Sequence, residues 1–161
     1  MQQPEKKQIS WHEQQWQVGT VVGLRSPGKA VGFIEHGSSA DGTILQSAVH
    51  VIVGAQEGPV LYVQSAIHGD EVNGVEVLRR LLMELDPNTL QGVLIVVPIA
   101  NISGFTQHRR RNLFDNEVSG LLRSRPVSGC NKDNVWAISI RCVHLKLWNG
   151  SRHLTMAISL D

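Results

Sequence analysis

The sequence predicts an α/β domain with a mixed sheet and flanking helices. Two nearly continuous apolar runs, residues 60–67 and 92–97, have the length and two-sided hydrophobicity of buried parallel strands. Between them, residues 73–85 carry apolar side chains at helical spacing. A crossover of this kind is almost always right-handed and returns the second strand to the same sheet. We therefore expect the two strands to be parallel neighbours with the helix on one face.

Further strands are expected before this unit. Short apolar runs at residues 18–24, 31–34 and 44–53 are separated by turn signals rich in Gly, Pro and Asp, which is typical of antiparallel strands. Residues 1–17 are mostly polar and are expected to form an irregular arm. After the helix, Pro87 should end the helical segment, because proline disfavours helical geometry in the residue before it.

Composition narrows the class of protein. The 161 residues are 42% apolar with a mean hydropathy of −0.08, which indicates a globular domain with a substantial core. The N-terminus lacks the apolar stretch of a signal peptide and no run approaches the length of a membrane span, so we expect a cytoplasmic protein without membrane contact. A net charge of +1 argues against nucleic acid as a partner. Cys130 and Cys142 are too few for a disulfide framework.

Side chains that could bind a metal or take part in catalysis are concentrated where the first buried strand ends. Residues 60–67 run directly into His68, Gly69, Asp70 and Glu71. Ligands of open α/β sheets gather outside the carboxyl ends of the strands. An imidazole and a carboxylate three residues apart across this turn can converge on one point, as two of the three protein ligands of a catalytic zinc do. The glycine would allow a sharp turn.

A structural interpretation competes with the metal site. Asp70 and Asn73 could simply cap the following helix, with Glu76 as the partner in a capping box. The spacing alone favours this alternative, since His-x-x-Glu is short and common. Two other histidines, His36 and His50, lie in strand-like runs and are interpreted as structural or solvent-facing.

The wider pattern resembles a known family. An apolar strand followed by His-Gly-Asp-Glu, then Gly-Val-Glu-Val-Leu-Arg-Arg-Leu-Leu, Gly-Val-Leu-Ile-Val-Val-Pro-Ile-Ala-Asn and Gly-Phe, is similar to the succinylglutamate desuccinylase/aspartoacylase family of the zinc carboxypeptidase clan. The resemblance covers about residues 26–117 and is most specific over residues 59–105. It implies a zinc carboxypeptidase-like fold and a hydrolase that splits the amide bond, or an ester bond, of a small N-acylated amino acid.

The resemblance also implies roles for individual residues. His68 and Glu71 correspond to ligands of a single Zn²⁺ ion, and an arginine shortly after the Gly-Phe step lies at the mouth of the site. Arg110 matches that arginine best, while Arg109 and Arg111 remain open alternatives. A guanidinium in this position would hold a substrate carboxylate or the oxyanion that develops during attack on the acyl carbonyl. The implied partner is therefore a small N-acyl amino acid.

The pattern breaks off near Val118. After Glu117 the family continues Asp-Leu-Asn-Arg, whereas this chain has Val-Ser-Gly-Leu, and the family's third zinc ligand and general base have no recognisable counterparts. As a substitute third ligand, His144 is a better candidate than His153, although a histidine in an apolar run is more often packed in a core. His108 could bind metal by its chemistry, but the family pattern gives it no such role. We therefore divide the chain into three segments: the arm 1–17, the N-terminal part of a zinc deacylase-like domain at 18–117, and a divergent tail at 118–161.

Two hypotheses follow. The first is a zinc-dependent deacylase with His68, Glu71 and Arg110 at its centre. The second is a catalytically incomplete fragment of such an enzyme, truncated, read out of frame or joined to unrelated sequence after Glu117, with at most weak binding of metal or a partner. With two recognisable ligands, the chain as given is expected to be a poor hydrolase.

Overall fold

A computed structural model describes residues 10–112, 135–141, 144–149 and 152–156. Their strands are β1 (Trp16–Val18), β2 (Val21–Leu24), β3 (Gly28–Ser38), β4 (Ile44–Val53), β5 (Gln56–Gln64), β6 (Gln91–Val97), β7 (Val135–Arg141), β8 (His144–Asn149) and β9 (Arg152–Met156). The helices of the described part are α1 (Asn73–Glu84) and α2 (Ile102–Thr106).

Seven of the described strands form one mixed sheet in the order β3-β4-β6-β5-β7-β8-β9. β5 and β6 are parallel neighbours, with Val60 opposite Val93 and Gln64 opposite Val97, which confirms the predicted strand–helix–strand unit. β3 pairs with β4 in antiparallel fashion, as the glycine-punctuated runs predicted. The carboxyl ends of β5 and β6 therefore meet at one edge of the sheet.

The two faces of the sheet are covered differently. α1 packs on one face, where Leu78 is completely buried among side chains of β4, β5 and β6. The helix begins at Asn73 and ends at Glu84, close to the predicted span, and Pro87 follows it. On the opposite face the valines of β4 and β6 pack in a cluster that includes the hairpin of β1 and β2.

The amino-terminal segment differs from the predicted arm. Trp16 lies in β1 and is buried in the core cluster, and Trp11 packs against it with ring centroids 5.7 Å apart. The Trp11 indole N–H also donates a hydrogen bond of 3.0 Å to the carbonyl of Gly54. Large aromatic side chains supply apolar area for a core even in a polar stretch, and Trp11 and Trp16 do so here.

Part of the divergent tail extends the sheet. β7 pairs in parallel with β5, placing Val135 opposite Val60 and Ser139 opposite Gln64, and β8 and β9 follow as antiparallel strands. The side chains of this segment lie outside the described residues. Of the two helices in the described part of the chain, neither has the length and apolar character that a membrane span needs.

Two histidines of the sheet, His36 in β3 and His50 in β4, should make stability depend on pH. Burial lowers the pKa of His50 and of His36 below their ordinary value near 6.5. The unfolded chain therefore binds these protons more readily than the folded chain, and the free energy of unfolding should fall as the pH drops from 6.5 through the lowered folded pKa values. Urea unfolding between pH 7.5 and 5 measures this slope. His50→Gln should flatten it and the double variant with His36→Gln should flatten it further; an unchanged slope in the double variant would contradict the assignment.

Candidate metal and substrate site

The backbone immediately after β5 adopts a conformation that is uncommon for a residue with a side chain. The strand ends at Gln64, and Ser65 still donates a backbone hydrogen bond of 3.1 Å to Val97. Ala66 then adopts a positive φ of 47°, which costs energy for any residue with a Cβ and is found where a site needs an abrupt change of direction. The next two residues, Ile67 and His68, are buried.

His68 is a buried imidazole with an unused nitrogen. Its exposed fraction is 4%, and its Nδ1 has no hydrogen-bond partner among the described residues. The Nε2 of the Gln64 amide and the hydroxyl of Ser65, in the same stretch of chain, are buried without partners as well. Buried polar atoms are nearly always satisfied, so an unpartnered imidazole nitrogen in the same turn as Glu71 fits a ligand for a cation.

Gly69 is required by a close approach between two loops. A Cβ at this position would overlap the carbonyl carbon of Gly104 and the amide nitrogen of Phe105. The sequence suggested a glycine for a sharp turn, but Gly69 is absent from the glycines with positive φ in the described part of the chain. The missing side chain instead lets α2 lie directly against the loop that carries His68.

Glu71 does not belong to a helix cap. The N-cap residue of α1 is Val72 and makes no side-chain capping bond. Glu76 binds Arg79 and Arg80 instead, and these bonds lower its pKa to about 2. The capping-box alternative with Asn73 stays a prediction, since the bonds of Glu76 to the two arginines do not test it. The backbone N–H of Glu71 donates to the carbonyl of His68 at 3.0 Å, so the two candidate ligands share one turn; convergence of their side chains on one point stays a prediction.

Arg110 reaches this turn from a distant part of the sequence. Its Nη1 donates to Oε1 of Glu71 at 2.9 Å, with the arginine side chain 58% exposed and the glutamate side chain 22% exposed. The loop is directed there by α2, since the N–H of Arg109 donates to the carbonyl of Gly104 at 2.9 Å. Arg110 thus contacts a candidate metal ligand, and its role as the substrate arginine stays a prediction.

Asn101 is a residue whose structural importance the sequence analysis did not single out. It is 2% exposed and its side chain bonds both to the carbonyl of Ile67 and to the N–H of Gly104. An asparagine directly before a short helical segment is a capping signal, so the bond to Gly104 could have been predicted. The bond to Ile67 depends on the pairing of β5 with β6.

A complete metal centre is not present within the described residues. They contain no group of three or more His, Cys, Asp and Glu side chains arranged to hold a metal ion. His108 is exposed, and the side chains of His144 and His153 lie outside the described residues. The segment around Glu117, where the resemblance breaks off, also lies outside them.

Comparison with known proteins identifies the central segment. Residues 57–118 match the model of the succinylglutamate desuccinylase/aspartoacylase catalytic domain. Over this segment the chain is similar to that family. The matched range includes His68, Glu71 and Arg110 and ends at Val118, where the family's motif is lost from the sequence.

Individual members of the family resemble the chain over part of their length. The N-alpha-acetyl-L-2,4-diaminobutyric acid deacetylase of Halomonas elongata is 30% identical over 113 residues, which are 68% of this chain and 32% of the relative. The product-bound structure of the ectoine utilization protein EutE (DoeB) from Ruegeria pomeroyi has a TM-score of 0.53 at 29% identity, covering 64% of this chain and 32% of that one. A succinylglutamate desuccinylase from Silicibacter sp. TM1040 has a TM-score of 0.53 at 26% identity, with 58% and 29% covered.

These similarities confirm the expected fold and give the share of the relatives' length that the chain spans. The mixed sheet corresponds to the zinc carboxypeptidase-like fold predicted from the sequence. The chain spans about a third of the length of the curated relative it matches.

Proposed function

We propose that the chain carries part of a zinc-dependent deacylase that cleaves the amide, or the ester, bond of a small N-acylated amino acid. The observation that carries this proposal is the buried imidazole of His68, whose Nδ1 is unpartnered among the described residues, at the carboxyl end of β5. The family of residues 57–118 and a relative named as a deacetylase of an N-acetylated amino acid support the reaction class.

His68 and Glu71 are the residues that would hold the ion. A neutral imidazole nitrogen and a carboxylate oxygen are ligands that zinc takes in catalytic sites. Zinc bound here would lower the pKa of a coordinated water towards neutrality and polarise an acyl carbonyl. The chain's own contribution is to bury the imidazole and to orient the carboxylate, which Arg110 holds by one oxygen.

Arg110 would bind the anionic part of the substrate. Its Nη1 is used by Glu71, and the exposed guanidinium carries further N–H donors in a planar fork. Such a fork binds a carboxylate or a developing oxyanion in two places at once, which orients the acyl group as well as neutralising its charge. Because the same guanidinium touches Glu71, a bound substrate would lie close to the ion.

The test combines metal content with turnover. The purified 161-residue chain, the variant His68→Ala and the control His12→Ala, which removes an exposed histidine, are dialysed against zinc and their bound metal is measured. We expect His68→Ala to lose zinc that the wild-type chain and the control retain. Each protein is then assayed with a panel of N-acyl amino acids; zinc content independent of His68 would overturn the proposal.

The second candidate is a catalytically incomplete fragment with weak metal binding. The observation that favours it is the lack of a third metal-ligating side chain near His68 and Glu71 within the described residues. The same experiment separates the two: zinc binding that depends on His68 without turnover of any substrate supports the fragment. Turnover abolished by His68→Ala supports the enzyme.

A further inference from the structure

Asn101 joins the two halves of the candidate site through both ends of its amide. It lies four residues after Val97, the last residue of β6, and caps α2, with Oδ1 accepting from the N–H of Gly104 at 2.9 Å. Its Nδ2 donates to the carbonyl of Ile67 at 3.1 Å. The main chain adds a third link, since the N–H of Asn101 donates to the carbonyl of Ala66 at 3.1 Å.

The orientation of this amide is determined by its surroundings. A flipped side chain would face the carbonyl of Ile67 with its own oxygen and the N–H of Gly104 with its own NH₂ group, so both bonds would be lost. With an exposed fraction of 2%, Asn101 has no access to bulk water that could replace them. Both bonds therefore act together to hold the side chain in one position.

Each bond joins Asn101 to a backbone group that lies close to a candidate site residue in the chain or in space. The carbonyl of Ile67 belongs to the residue immediately before His68. Gly104 lies against Gly69 and accepts the backbone bond from Arg109, so it determines the path of the chain into Arg110. Asn101 thus lies between the loop that carries the candidate metal ligands and the loop that carries the candidate substrate arginine.

We propose that Asn101 is a positioning residue that fixes the His68 loop relative to the Arg110 loop. The inference rests on the proposed function, because its expected consequence is a change in the affinity of the site for a divalent cation. Asn101→Asp is the informative variant because it keeps an acceptor for Gly104 and replaces the donor to Ile67 with a second acceptor. Partners that orient metal ligands typically contribute about 10- to 100-fold to metal affinity.

The first measurement uses Co²⁺, whose ligand-field absorption reports the geometry of the ion. In the full chain, Asn101→Asp should bind Co²⁺ at least about tenfold more weakly than wild type and show an altered spectrum. Thr106→Ala is the matched control, because it removes side-chain bonds within α2 to the carbonyls of Ile102 and Ser103 and leaves the bonds of Asn101 in place. Wild-type affinity and spectrum in Asn101→Asp would overturn the proposal.

The second measurement does not need a metal. The N–H of Glu71 bonds to the carbonyl of His68, so its hydrogen exchange reports the order of the loop. In Asn101→Asp this amide should exchange faster relative to the amide of Ile95 in β6, whereas a general loss of stability would speed both equally. Absence of Co²⁺ binding by the wild-type chain would refute the proposed function alone, and unchanged relative exchange at Glu71 would refute the positioning role.

Discussion

Replacing Gly69 with alanine should destabilise the domain by about 3 kcal/mol, in the upper part of the range for overpacked sites. The added methyl group would overlap backbone atoms of Gly104 and Phe105, which have no rotamer through which to move away. Either α2 or the loop around His68 must shift. Urea unfolding followed by circular dichroism measures the loss, and zinc titration of the folded variant should show weaker binding.

Gly42→Ala is the control for this variant. A Cβ at Gly42 meets nothing within 4 Å, although its φ of +82° makes alanine unfavourable there. We expect a loss of about 1 kcal/mol from the backbone conformation alone, without an effect on metal binding. If Gly69→Ala were as stable as Gly42→Ala, α2 would not lie against the loop around His68.

Replacing Leu78 with alanine should cost about 2–5 kcal/mol of unfolding free energy, because it opens a cavity beneath α1. Leu78 is fully buried and packs with Ile52, Leu94 and Val96. α1 begins two residues after Glu71, so the loosened helix should also weaken the orientation of that carboxylate. Urea unfolding and zinc titration of the same sample measure both effects.

Leu81→Ala is the matched change on the same helix. This leucine is 37% exposed, and alanine has the higher helix propensity, so a loss below about 1 kcal/mol is expected. Equal losses in the two variants would show that α1 does not pack on the sheet through the face that contains Leu78.

The sequence determined the features that depend on local periodicity. β4 has the predicted bounds, α1 differs from its predicted end by one residue, and β5 and β6 are parallel neighbours. In each case the spacing of apolar side chains is repeated over enough residues to distinguish a strand from a helix. Because β5 and β6 are parallel neighbours, the turn at His68 lies at the same edge of the sheet as the segment after β6, where Asn101 bonds to Ile67.

Tertiary structure decided the contacts between segments that are distant in the sequence. The bond between Arg110 and Glu71 joins residues 39 positions apart, and the sequence left three arginines open for that role. Position 69 requires a glycine because the backbone of Gly104 and Phe105 lies against it. Trp16 is buried because it packs in the core cluster. Hydrophobic patterns describe which face of an element is buried, whereas these contacts depend on how close two loops lie and in which direction their side chains point.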